Sequence, residues 1–125
     1  MMRIQRKNYN ELGEVLGPYT HSVIHNNTLY TSGLTAFGRS AQEQGIEAQT
    51  RTIFAQLKHI CKVHKVTLKN LIKVTLFVSD FSEMDLLRTT LFDLYGDDIP
   101  ASSLIKIDAL FCDDLKIEIE AIIAL

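Results

Sequence analysis

At Ile46 the apolar rhythm of this chain changes. Upstream, residues 20–25 (Thr-His-Ser-Val-Ile-His) and 28–32 (Thr-Leu-Tyr-Thr-Ser) alternate as strands do, and Asn26-Asn27 between them suits a two-residue hairpin turn, because Asn tolerates the left-handed conformation. Downstream, Ile46, Thr50, Ile53, Phe54, Leu57, Ile60, Cys61 and His64 recur every three or four positions, which predicts an amphipathic helix ending near His64 or Lys65. Glu47, Arg51, Gln56, Lys58 and Lys62 fall on its polar face. From Leu71 to Val78 the pattern changes again, to a β-branched and nearly continuous apolar run that reads as a strand covered on both faces. A chain that switches period in this way is neither all-helical nor all-strand.

The remaining elements follow from local signals. Arg3 to Lys7 is read as a first strand, and the polar stretch after Gly33, from Gly38 to Gly45, as a mobile loop. Ser82 is placed to cap a second helix from Glu83 to about Tyr95, striped by Met84, Leu87, Leu91 and Leu94 and stopped by Gly96 to Pro100. Strands follow at Ser103 to Asp108 and Leu115 to Ala124, with the reversal between them at Phe111 to Asp114. The expected fold is α+β: one mixed sheet with two helices on one face, in a single domain spanning 1–125. Ile105, Ile107, Ile117 and Ile119 are expected to compete for the other sheet face, which self-association would then bury.

Composition excludes several classes. Thirteen basic and fifteen acidic residues give a net charge of −2, and the cations are scattered, so a nucleic-acid backbone is not the expected partner. No run approaches the roughly 20 apolar residues of a membrane span. Met1 to Lys7 lacks the apolar core of a secretory leader, so a cytoplasmic location is expected. Cys61 and Cys112 are far apart and read as free thiols. Among the four histidines, His21 and His25 lie too far apart along a strand to share one ion, and no metal or other cofactor is expected.

Six ordered signatures carry a resemblance: Gly17-Pro18-Tyr19; Leu29 to Gly33; Ile46 to Thr50; Lys73 to Asp80; Ile99 to Ser103; and Ile117 to Ala121. Over residues 15 to 125 the chain resembles the Rid (YjgF) family of small enamine/imine deaminases. The resemblance implies a chorismate-mutase-like homotrimer whose sheets form a central barrel, with small-molecule clefts between subunits. It implies hydrolysis of reactive enamines and imines to 2-keto acids and ammonia, with no cofactor. Carried onto this sequence, it places Tyr19, Ser32, Gly33 and Glu120 at cleft positions, with Glu120 helping to position the hydrolytic water.

The chain departs from the family pattern at three further positions. Ser102 stands where catalytic members carry the Arg that grips a substrate carboxylate, Leu104 where many have Cys or a small residue, and Arg88 where many have Asn. A hydroxyl cannot replace a bidentate guanidinium. Arg88 is a candidate to supply the cation from another wall of the cleft; the alternative is an ordinary solvated helix residue. Two functions stay open at this level: a hydrolase of enamine/imine intermediates using Glu120 and a water, and a non-catalytic protein that senses a small carboxylate metabolite. The family is also associated by name with ribonuclease activity, which the charge balance does not favour. Glu118 and Glu120 share one strand face, an arrangement that solvated strands also show.

Overall fold

The computed structural model describes residues 3–125; Met1 and Met2, the start of the segment read above as lacking a leader, lie outside the described residues. The elements are β1 (Gln5–Lys7), β2 (Ser22–His25), β3 (Thr28–Thr31), α1 (Ile46–Val63), β4 (Leu71–Val78), α2 (Met84–Tyr95), β5 (Ala101–Lys106) and β6 (Ile117–Ala124). They form an α+β fold with one mixed six-stranded sheet in the order β1-β2-β3-β6-β4-β5. Asn26 and Asn27 turn the β2–β3 hairpin with φ of 53° and 59°, the left-handed pair expected of them. Only β4 and β5 run parallel, and α2 provides the crossover such a pair needs.

The last strand does not form a hairpin with β5. It inserts between β3 and β4, antiparallel to both, so the Phe111 to Asp114 reversal carries the chain back across the sheet rather than to its neighbour. The apolar face of β6 explains the insertion. Ile117, Ile119, Ala121 and Ile123 all point under the helices and are at most 3% exposed, where they meet Val74, Leu76 and Val78 of β4 and Leu29 of β3. Ile53, Phe54, Leu57 and Ile60 of α1 and Leu87 of α2 close that core. Ile117 and Ile119 therefore belong to the helix side, not to the second face as expected. Ile105 is exposed and Ile107 half-buried, both near the outer edge.

Two further expectations are corrected. Ser82 does not cap α2: its backbone N–H and its hydroxyl both donate to Asp80 Oδ1, and the helix begins one residue later with Glu83 at the cap position. The 38–45 stretch is not a free polar loop. It contains a 3-10 turn at Ser40–Glu43, and its Ala41 is buried with Ala36 and Leu115 in a second small core.

Two glutamines of α1 hold that stretch and the residues before it in place. Gln49, fully buried, donates from Nε2 to the carbonyls of Gln42, Gln44 and Asp114, and its Oε1 accepts the N–H of Lys116 at 2.8 Å. Gln56 donates to the Thr35 carbonyl at 2.8 Å. Gln56 is thus buried by its loop and not on a wet helix face. Cys61 sits in the core, and burial pushes its thiol up to about 11; it behaves as a small apolar side chain. No described helix is long and apolar enough to cross a membrane.

Candidate active site

Residues between 10 and 21 and between 32 and 39, with Gln56 of α1, Phe111 and Glu118 of β6, line an open cavity of about 920 Å³. That lies within the roughly 300–1,000 Å³ usual for small-molecule sites. Its floor comes from one local pairing. Leu34 and Ile119 exchange backbone hydrogen bonds at 2.8 and 3.0 Å, which lays Gly33 directly over the side chain of Glu118. A Cβ at position 33 would stand 2.6 Å from the Glu118 carboxyl carbon and closer still to one oxygen. A side chain at position 33 would thus push the Glu118 carboxylate aside, and glycine is favoured here by close approach, not by its φ.

Glu118 is the carboxylate of the cavity. It is half-buried, and loss of solvent, with Glu120 adding a like charge, raises its pKa above the ordinary carboxylate range. Glu120 lies two residues on, paired with Thr75 of β4 on the same open face, but it is exposed and outside the cavity lining. The register thus places Glu118, rather than Glu120, in the cavity lining.

Tyr19, Ser32 and Gly33 do come together on the cavity wall. The Tyr19 hydroxyl accepts the N–H of Leu16 at 3.3 Å. The Ser32 hydroxyl is committed to the Thr20 carbonyl and its N–H to the His21 carbonyl, so Ser32 fixes the wall and offers no free nucleophile.

His21 also lines the cavity, a role its strand-like surroundings did not reveal. It is buried, and its Nδ1 accepts the N–H of Tyr9 at 2.9 Å. Desolvation lowers its pKa, so the ring is neutral with its proton assigned to Nε2. Tyr9 continues the network through its hydroxyl, 2.8 Å from Ser22 Oγ and 2.7 Å from His64 Nε2. Arg39 supplies the cation among the lining residues, its Nη2 donating to the Glu11 carbonyl at 2.7 Å. Phe37 and Phe111 meet at the rim with ring centroids 5.1 Å apart. The sequence reading singled out none of Glu118, His21, Arg39, Phe37 or Phe111 as a site residue.

Arg88, Ser102 and Leu104 are not brought to this cavity within one chain. Arg88 projects from α2 with an exposed side chain and reaches Asp85 at 3.4 Å. Ser102 and Leu104 pair with Val74 and Leu76, which turns them toward the helix side of the outermost strand.

A family model described as Endoribonuclease L-PSP matches residues 10–125. The chain belongs to the Rid (YjgF) family. Among its Rid relatives, the 2-iminobutanoate/2-iminopropanoate deaminase of Escherichia coli K12 is 30% identical over 112 residues, covering 86% of this chain and 87% of that one. A RutC family protein of Pyrococcus horikoshii is 27% identical, with 86% of each chain covered. The crystal structure of RidA from the Antarctic bacterium Psychrobacter sp. PAMC 21119 superposes with a TM-score of 0.86 at 25% identity, covering 97% of this chain and 99% of that one. A Rid protein of Yersinia pestis, YyfA, shares the fold at 22% identity, with a TM-score of 0.88 and 98% and 100% of the two chains covered.

Proposed function

We propose that this chain is a cytoplasmic Rid-type hydrolase of enamine/imine intermediates, working as a homotrimer whose clefts lie between copies. The carrying observation is Glu118, a half-buried carboxylate with a raised pKa, held under Gly33 in a small-molecule cavity. In this reading Glu118, not Glu120, orients the attacking water and accepts its proton. Oxygen adds to the C=N carbon, the nitrogen takes up protons, and the C–N bond breaks to release a carbonyl compound and ammonia. A carboxylate with a raised pKa suits both halves of that transfer. The names of the deaminase relatives support the reaction class.

The trimer supplies what one chain lacks. Ser102 and Leu104 lie on the outer strand, and a neighbouring copy is the natural route by which they would reach a cavity. Ribonuclease chemistry is disfavoured by the lining, where Glu11, Glu14 and Glu118 face Arg39 as the sole Lys or Arg among the described lining residues. The second reading, a non-catalytic metabolite sensor, is favoured by Ser102, which leaves the family's carboxylate-gripping position without charge.

The test generates an imine in situ with an amino-acid or amine oxidase and follows its disappearance by trapping. Acceleration by wild type, reduced about 10²- to 10⁴-fold in Glu118→Gln, is expected for a lost acid–base group. No acceleration by wild type with any imine, or full activity in Glu118→Gln, would overturn the reading. Imine loss that appears only in Ser102→Arg would favour the sensor.

A further inference from the structure

The cavity selects by charge and by shape. Glu118 forms its floor, and Glu11 and Glu14 stand at its mouth. Arg39 is half-buried and already bonded to the Glu11 carbonyl, so it is poorly free to grip a second anion. His21 is neutral, its Nδ1 occupied by Tyr9. A carboxylate entering here meets three like charges and one engaged guanidinium. A nitrogen cation meets the Glu118 carboxylate instead.

Shape points the same way. Phe37 and Phe111 are 40% and 63% exposed, yet they pack on one another across the rim with their ring planes tilted by 57°. Tyr19, 44% exposed, adds a third ring to the lining. Exposed aromatic side chains that line a cavity offer flat apolar contact and negative ring faces, which favour both an apolar body and a cation.

We infer that this cavity takes an organic nitrogen cation, an iminium or ammonium, carried on an aromatic or similarly flat apolar body, in preference to a small imino acid bearing a carboxylate. The inference rests on the proposed imine hydrolysis taking place in this same cavity. The substrate class would then be the imines left when primary aralkyl amines are oxidised, and the product an aldehyde with release of ammonia.

Calorimetric titration of the full chain with 2-phenylethylamine, 3-phenylpropanoate and 2-oxobutanoate reads the preference directly. The amine is expected to bind at least about tenfold more tightly than either anion, and Phe37→Ala, Phe111→Ala and Glu118→Gln each to weaken it by about tenfold. Both Phe side chains are exposed, so those two variants should remain folded. Equal or tighter binding of either anion, or amine binding unchanged in all three variants, would overturn the inference. The companion assay compares hydrolysis of the imine made from 2-phenylethylamine by an amine oxidase with that of 2-iminobutanoate. Hydrolysis of 2-iminobutanoate alone would sink the inference and leave the hydrolase standing. Selective amine binding without any imine hydrolysis would keep the cation site and sink the hydrolase.

Discussion

On the β1–β2–β3 side of the sheet, buried side chains from loops and α1 close over the strands; on the β5 side, the described residues leave the strand largely exposed. Gln49 alone ties three carbonyls and one N–H from two loops, and the cavity forms where those loops meet β6. Across the sheet, every residue of β5 is exposed except half-buried Ser103, and the ion pair of α2 between Arg88 and Asp85 lies in solvent. The difference separates two kinds of site residue. Tyr19, Ser32, Gly33 and Glu118 are positioned by the chain's own core. Ser102, Leu104 and Arg88 stand on an exposed surface away from the cavity.

Removing the buried tie tests the first region hardest. Gln49→Ala leaves four backbone groups without their partner and is expected to lower stability by about 3 kcal/mol in urea unfolding, with the cavity loops loosened first in hydrogen exchange. A loss below about 1 kcal/mol would mean that the loops hold themselves. Gly33→Ala comes next. Its Cβ displaces the Glu118 carboxylate, and an ångström of misplacement can lower turnover on the order of 100-fold. Stability should change less than activity, because the carboxylate can swing into the cavity.

The third prediction concerns pH. Burial depresses the pKa of His21 and of His64, the latter with help from Lys7, so the fold prefers both rings neutral. That contribution is complete above the unfolded value of about 6.5 and is lost as pH falls through the depressed folded values. Glu118 acts with the opposite sign: its raised pKa means that the fold gains as this carboxyl takes up its proton. The urea midpoint should therefore drop as pH falls from 7.5 to 4, and drop more steeply in Glu118→Gln. An unchanged slope in that variant would show that Glu118 titrates normally. The smallest effect belongs to the exposed side, where Arg88→Ala should shift stability by no more than about 0.5 kcal/mol. A larger loss would reveal a contact that a single chain does not make.

What periodicity encodes was readable in the sequence. Helix α1, strand β4 and the Asn26-Asn27 hairpin lie within a residue or two of their expected bounds, because each has a strong local signal. The placement of β6 was not readable. Alternation shows that Glu118 and Glu120 share a face, but which of them lies under Gly33 is fixed by the Leu34–Ile119 bridge, a contact between residues far apart in the chain. Gln49 and Gln56 were hidden for a related reason: an amide on a helix reads as a solvated side chain until the loop that uses its donors is known. The six signatures carried the family, since their order survives where single site residues have changed.

Strand β5 has a partner on one side only, and Leu104 and Ile105 are 39% and 42% exposed beside its bare backbone. A margin of that kind can recruit further strands without limit. Rotational closure after a few copies would terminate such growth, where an open-ended arrangement would not.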